Sequence, residues 1–511
     1  MRKVLAMALL LALVLGAQYM VSRQRPAVAE TSMQLAGNPV DRYEPATEKL
    51  GVVLVAHGFA ANKELMRPWG YYLAQQGFDT YIYDQPGHGH SSKTLPEDVW
   101  TGAALGDNLK AMVDELIAAK QAEPGKIALV GHSMGGLTVT QLALSDDRIR
   151  ATVAVSSSYK GSIPAGKPVN FLNLAAERDP SFMAKAVSAM AEQTENGKGQ
   201  LGKQYGSFRE GTAREGDVVE GRNHLTILYD TDVMAKTAAW LRESIASRVD
   251  VLETNSYGWP WVIVGLLASL GFVGVCAAVL APPDARRSSR NQPRVGFWTA
   301  LVMLAVAAFS AVLAVVYLRL PWPRVAVLDY VLPYFLVMAL VLLVLRQLWP
   351  REYGFNVFSQ DESDPGAMLR ALGVFLGFAG AVGPILHMNL SNFLPVGARV
   401  IPLLATALGM WLYLAQEEGL KRAVSNEAGP ALAALLGLGG KAIIVLTWLG
   451  AAALPNPQTF LPLVVPVMVA VLALLELFSY LMNRWRYPAS GAAVFSAMVL
   501  SWMLVVSFPL V

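Results

Sequence analysis

Apolar residues are distributed along this chain in two different ways. Before residue 259 they come in short runs bounded by turn residues and alternating with segments of helical period, whereas from 259 onward they form long, nearly uninterrupted stretches. The short runs at 50–56, 79–84, 126–130, 150–156, 169–180 and 217–224 read as strands, and the stretches at 64–76, 100–119, 137–144 and 232–247 read as helices. Alternation of this kind predicts a mainly parallel sheet with helices on both faces. The long stretches predict eight spans, at 259–281, 295–318, 325–348, 368–386, 395–415, 430–454, 460–482 and 489–510. A further apolar run, residues 4–21, follows Met1-Arg2-Lys3 and is also long enough to cross a bilayer. Ala27-Val28-Ala29 fits an A-x-A cleavage pattern, but Arg23 and Arg25 intervene, so 1–22 reads as an uncleaved signal anchor in preference to a signal peptide. The expected organisation is therefore an anchor at 1–22, an extracytoplasmic α/β domain at 23–258 and an all-α polytopic bundle at 259–511.

Composition sharpens this division. The 511 residues are 54% hydrophobic and 15% charged, too apolar for a wholly soluble chain. Residues 23–258 hold His57, His88, His90, His132 and His224, leaving only His387 for the bundle. A net charge of +3 discriminates little, and nothing points to nucleic acid. The single cysteine, Cys276, excludes an intrachain disulfide, so the outward domain has to be stable from its core alone. Arginine and lysine give the orientation: Arg286, Arg287, Arg290 and Arg294, then Arg346 and Arg351, Lys421 and Arg422, Arg484 and Arg486 fall in alternate linkers, which are expected on the cytoplasmic side. Linkers on the opposite side hold Arg319 and Arg324 or, around 387–394 and 455–459, no Lys or Arg.

Chemistry is concentrated at Gly131-His132-Ser133-Met134-Gly135-Gly136, a G-x-S-x-G elbow between a strand and a helix. Its glycines are required where a side chain would strike the neighbouring strand and helix. An acid and then a histidine should follow, each at the end of a strand. Asp179, in the turn closing 169–180, is placed to accept from a His ring, with Glu177, Asp217, Asp230 and Asp232 nearby as alternatives; His224 is the expected base. The loop after the 50–56 strand, His57-Gly58-Phe59, supplies the Phe59 N–H to an oxyanion hole completed by that of Met134. His57 is expected to hold that loop by hydrogen bonds. His88 and His90 invite a metal reading, but with only Asp84 near them in sequence a structured loop is preferred, and neither metal nor cofactor is expected.

The segments His57-Gly58-Phe59, residues 84–91, 131–136, Glu177-Arg178-Asp179-Pro180 and Asn223-His224 together resemble the α/β-hydrolase superfamily, and most nearly its serine aminopeptidase S33 and monoacylglycerol-lipase-like branch. The resemblance covers roughly residues 45–250. It implies Ser133 as nucleophile, Asp179 as acid and His224 as base, acting on esters and sometimes amides without a cofactor. That branch inserts a helical cap where this chain has only residues 157–168, so a shallow, open pocket is expected.

Ionisable residues inside the spans each need a partner or a function. Lys441 and Glu476 are expected either to pair or to be satisfied separately, by snorkelling and by backbone or water. Arg399, His387 and Asp329 fall near outer span ends, where headgroup contact or domain docking is expected. The function expected is a membrane-anchored serine hydrolase acting on a small-molecule or lipid acyl ester. The alternative is a transporter or scaffold bundle with an accessory hydrolase-like module, which few bundle charges and no visible internal repeat weaken.

Overall fold

The computed structural model describes residues 1–25, 28–159, 163–164, 166–192, 199–246, 252, 254, 257–282, 294–318, 320, 324–348, 365–395, 397–451 and 461–511. Two compact units divide the chain. One gathers Gln18–Val262, Leu386–Asn392 and Ser507–Val511, the other Met1–Ala17, Ile263–Ile385 and Phe393–Val506.

After α1 (Arg2–Gln24), the sheet unit runs β1 (Ala29–Leu35), β2 (Asn38–Glu44), β3 (Gly51–Ala56), α2 (Arg67–Gln75), β4 (Phe78–Tyr83), α3 (Ala103–Ala118), β5 (Ile127–His132), α4 (Met134–Ala143), β6 (Ile149–Val155), β7 (Phe171–Ala176), α5 (Ser181–Glu192), β8 (Arg214–Val219) and α6 (Thr231–Ala246). The eight strands lie in the order β1-β2-β4-β3-β5-β6-β7-β8. β1, β2 and β4 pair antiparallel at one edge, and every other pairing is parallel. The strands from β3 to β7 are almost wholly buried because helices cover both faces, which is why they read as continuous apolar runs in the sequence. Alternate residues serve opposite layers. Val53, Val55, Ala128 and Val130 pack with Trp69 and Leu73 of α2 and Trp240 and Leu241 of α6. Val52, Leu54, Ile127 and Leu129 pack with Leu109, Met112 and Leu116 of α3 and Val139 and Leu142 of α4.

β1 and β2 have no counterpart in the expected strands. Their sequences, AETSMQL and NPVDRYE, are too polar to stand out, and β1 lies largely exposed at the sheet edge. The hairpin is made by its turn, Ala36 and Gly37, both at positive φ.

The second unit contains α7 (Trp259–Val279, its first residues in the sheet unit), α8 (Phe297–Tyr317), α9 (Leu328–Leu348), α10 (Pro365–Asn389), α11 (Val400–Ala428), α12 (Pro430–Ala451), α13 (Leu461–Arg484) and α14 (Ala489–Ser507). All eight expected spans are helices, and with α1 nine helices among the described residues are long and apolar enough to cross a membrane. Several boundaries differ from the sequence reading. α11 does not stop near residue 415 but continues to Ala428, so that Lys421 and Arg422, expected in a linker, are buried within it. That extension is tolerated because Lys421 finds buried carboxylates at Glu418 and Glu476. α14 ends at Ser507, and the residues after it group with the sheet unit, as do Leu386–Asn392 at the end of α10. Arg25 and Arg67 each donate to the Met388 carbonyl at 2.6 Å, and Asn62 donates to Ser391 at 2.9 Å, which ties this short segment down. The arginines expected at 286–290, 319 and 351 and the 455–459 linker lie outside the described residues.

Trp69 is fully buried, and its indole N–H donates to the Leu228 carbonyl at 2.9 Å. Trp69→Ala should therefore destabilise the sheet unit by about 3–5 kcal/mol, and Trp69→Phe by only about 1–3 kcal/mol, mainly through the orphaned carbonyl. Thermal protease-susceptibility midpoints of the sheet unit in the full chain measure both.

Candidate active site

β5 ends at His132, and the chain turns into α4 through Ser133, held at φ 54° and ψ −119°. A non-glycine residue there costs of order 1–3 kcal/mol and persists only where its surroundings impose it. The imposition is steric. A Cβ on Gly131 would come within 2.2 Å of the Gly135 carbonyl oxygen, and one on Gly135 within 2.2 Å of that of Ala56 on β3. Strand and helix thus approach as closely as bare backbone allows, and Ser133 is lifted clear between them, partly exposed.

The expected residues converge on it. His224, in the loop after β8, places Nε2 3.0 Å from Ser133 Oγ and Nδ1 2.7 Å from Asp179 Oδ1. A carboxylate only accepts, so Nδ1 carries the ring proton and the Nε2 lone pair faces the serine hydroxyl. Asp179 follows β7, and its other oxygen accepts from the Ala176 N–H at 2.8 Å. Burial alone would raise its carboxyl, but hydrogen bonds from His224 and the Ala176 backbone, with the field of the imidazole, hold it below the ordinary carboxylate value. The alternative acids are engaged elsewhere or point to solvent. Glu177 accepts from the Gly221 N–H, Asp217 pairs with Lys236, Asp230 pairs with Arg222 and caps α6, and Asp232 is exposed.

Phe59 and Met134 belong to the loop after β3 and to the start of α4. Met134 opens α4, so its N–H falls in the first turn, where the helix offers no acceptor. The loop carrying Phe59 passes against Ser133, since a Cβ on Gly58 would meet that of Ser133 at 3.1 Å. His57 holds this loop: its Nε2 accepts from the Gln85 N–H at 3.0 Å, which leaves the Nδ1–H to donate to the Gly58 carbonyl at 2.7 Å. A ring fixed as both donor and acceptor in this way is neutral, and burial lowers its pKa accordingly.

His88 Nδ1 donates to the Pro86 carbonyl at 3.0 Å and is not part of the carboxylate group around His90. The carboxylate partner that the sequence did not reveal for His90 is Glu64, brought by the turn before α2. Glu64, Asp84 and His90 place one donor atom each within 4.8 Å of one another. Their donor types suit a cation, yet the Lys63 ammonium already lies 3.1 Å from Glu64, and Asp84 accepts the backbone N–H groups of Lys63 and His90. The lysine occupies the cationic place, and the cluster fits a loop-holding network better than an ion site.

Two supporting features escaped sequence reading. His132, the variable residue of the elbow motif, bonds through Nε2 to the His224 carbonyl at 2.9 Å and so fixes the backbone of His224. Its position inside the motif was the available signal. The second is the segment after α14. Leu510 donates to the Gly87 carbonyl and accepts from the Leu95 N–H, both at 2.8 Å, and the Phe508 ring lies 6.2 Å from that of Phe59. Nothing local in Phe508-Pro509-Leu510-Val511 announces this, because it reads as the end of an apolar span.

A cavity of about 90 Å³ lies beside α4, walled by Thr140, Ser157, Ile163, Phe171, Asn173 and Met190 among others. Ser157, Tyr159 and Ile163, part of the stretch standing in place of a cap, contribute to it.

The family model for the alpha/beta hydrolase fold matches residues 51–220. The sheet unit has the α/β-hydrolase fold. Among curated proteins, the chain is 26% identical over 115 residues to uncharacterised protein YfhR of Escherichia coli strain K12 and, equally, of strain O157:H7. The match takes in 22% of this chain and spans 39% of the length of those relatives. Similar solved structures include TT1662 from Thermus thermophilus, at 20% identity and TM-score 0.33, covering 44% of this chain and all of that one. DcsB in complex with its substrate analogue follows at 16% identity and TM-score 0.32, covering 43% and 100%. The epoxide hydrolase VrEH1 from Vigna radiata has 22% identity and TM-score 0.22, covering 27% and 40%.

Acid should loosen this hydrolase unit. Burial and the neighbouring His224 lower the His132 pKa to about 3, so below the unfolded value near 6.5 the unfolded ring takes a proton that the folded one refuses. Stability then falls with decreasing pH by about 1.4 kcal/mol per unit for this ring. In His132→Asn the loss between pH 6 and 4 should be shallower by about that slope, read from protease-susceptibility midpoints across pH.

Proposed function

We propose that this protein is a membrane-anchored serine hydrolase that cleaves carboxylic esters through an acyl-enzyme. The observation that carries this reading is the unbroken hydrogen-bond chain from Asp179 through His224 to the strained Ser133. Ser133 Oγ attacks the ester carbonyl carbon while His224 Nε2 takes its proton, and Asp179 orients the ring and stabilises its charged form. The Phe59 and Met134 N–H groups receive the oxyanion. Collapse of the tetrahedral adduct expels the alkoxide, which takes the proton from His224. Water, deprotonated by the same nitrogen, then attacks the acyl-Ser133 carbonyl, and the second collapse releases the acid and returns the proton to Ser133.

The substrate class proposed is an amphiphilic acyl ester, lipid or lipid-linked. Apolar helices precede and follow the hydrolase unit in sequence, and the cavity beside α4, walled by Ile163, Phe171 and Met190 as well as by Thr140, Ser157 and Asn173, has both apolar and polar walls for an amphiphilic group. An extracytoplasmic location is proposed with it, on the arginines of the linkers; Lys421 and Arg422, buried in α11, no longer count toward that bias.

Ser133→Ala should lower kcat on p-nitrophenyl esters by about four orders of magnitude or more and abolish fluorophosphonate labelling. Asp179→Asn should cost roughly three to four orders, more than the same change at Asp217 or Asp230. Wild-type turnover by a folded Ser133→Ala protein would remove the reading. In nanodiscs, kcat/KM should rise by up to roughly fourfold per added methylene until the groove is filled; a preference for acetyl esters would favour a small soluble substrate instead. Removal of residues 508–511 should slow both ester turnover and labelling of Ser133, since the Phe59 loop then loses a neighbour; unchanged rates would assign that segment no part in the site.

A further inference from the structure

An asparagine stands in the middle of a wholly buried strand. β7 reads Phe171-Leu172-Asn173-Leu174-Ala175-Ala176, and each of these residues is buried. Strands covered on both faces favour apolar, β-branched and aromatic side chains, and a carboxamide among them needs hydrogen-bond partners. Asn173 is 4% exposed, yet its Oδ1 makes no hydrogen bond. An orphaned acceptor of this kind carries the full desolvation cost of the group. Water or a ligand has to supply the missing partner.

Room for such a partner lies beside it. Asn173 lines the cavity of about 90 Å³ next to α4, several times the ~10–15 Å³ that one water molecule needs. Small residues make this room, since the register partner of Asn173 on β6 is Ala154, and α5 contributes Ala186 and Ala189. Ala154, Phe171, Met190 and Ile163 pack together as an apolar wall, while Thr140 and Ser157 add polar lining. The Tyr159 hydroxyl, also at the cavity, already donates to Gln141 Oε1 at 3.0 Å. None of the described lining residues is charged, so the cavity suits a neutral group. Ala189 at its edge is exposed, which makes the cavity reachable from outside the fold.

The cavity also adjoins the elbow. A Cβ on Gly136 would meet that of Ser157 at 2.4 Å, so the wall at Ser157 touches α4 within one turn of Ser133. Thr140 lies two turns along the same helix, about 10 Å from Ser133 at ~1.5 Å per residue.

We propose that this cavity binds a neutral aliphatic group carrying a hydroxyl, with the Asn173 carboxamide as its polar contact. The free atom is an acceptor, so the ligand must donate. A hydroxyl does so without charge, and its own oxygen can accept in turn from a threonine or serine hydroxyl, whereas an ether cannot donate at all. The aliphatic body lies against Phe171, Ile163 and Met190. On the hydrolase reading above, on which this last step rests, the bearer of the hydroxyl is the substrate, through a hydroxylated acyl chain or through the alcohol of the ester.

Saturation-transfer NMR on the full chain in nanodiscs, with empty nanodiscs as blank, tests the site with n-butanol and its isomer methyl propyl ether. The alcohol should give a saturable signal and the ether none. Asn173→Leu, close in volume, should fold and lose the alcohol signal; should it not fold, Ala186→Leu, which fills the room from α5, carries the same test. Ether bound as well as alcohol, alcohol still bound by the variant, or no saturable signal, which would leave the cavity to water only, overturns the proposal. Turnover then assigns the bearer, comparing p-nitrophenyl octanoate with its hydroxyoctanoate counterpart, and butyl with hydroxybutyl butanoate. The wild type should favour the hydroxylated member of one pair by roughly two- to tenfold in kcat/KM, the effect of one neutral hydrogen bond, and Asn173→Leu should abolish the preference. Equal turnover within both pairs by the wild type overturns the substrate assignment. A wild type that turns over no ester overturns the hydrolase reading instead, while the binding result still decides the cavity.

Discussion

The conformation of Ser133 governs the hydrolase unit. To place one hydroxyl at the crest of a sheet, the chain must leave β5, reverse through a left-handed residue and enter α4 within a single step. That step is open only when Gly131 and Gly135 let the backbone of β3, β5 and α4 come into contact. From this crowding the other parts follow. The loop after β3 has to run beside Ser133, and His57 keeps it there with a fixed tautomer. The strands beyond β5 then bring Asp179, after β7, and His224, after β8, to the same end of the sheet as Ser133.

Much of this was legible because local and global demands coincide along 50–224. Buried parallel strands must be apolar on both faces, and each functional turn carries its own signature in Gly58, Gly131, Gly135, Asp179 and His224. The acid was the least determined, since five carboxylates lie within a short stretch and only folding shows that Glu177, Asp217 and Asp230 have other partners. β1 and β2 were invisible for the opposite reason: an edge hairpin buries little, so neither strand needs an apolar pattern. The place of Leu510 beside Gly87 could not be read at all, because a contact between distant segments leaves no periodicity.

The helical unit shows where hydropathy misleads. A window that scores charge as an end-of-span signal stops α11 before Glu417 and assigns Lys421 to a linker. The structure instead continues the helix and buries three acids and two bases against one another. Removing both charges of such a pair is often harmless, whereas removing one strands the other, so networks of this kind are kept together or lost together. The bundle accordingly carries a polar centre as specific as the elbow of the hydrolase unit, although it has no motif.

The hydrogen bonds between Leu510 and the Gly87–Leu95 loop join residues roughly four hundred positions apart, a sequence separation that loads closure entropy onto the last stage of folding. During synthesis the sheet can assemble as soon as α6 has emerged, but this loop stays one partner short until every helix from α7 to α14 has been made. Completion of the loop beside Phe59 thus reports that the final helix has been delivered, and a chain stalled part-way through the bundle would carry a formed sheet with an unfinished rim.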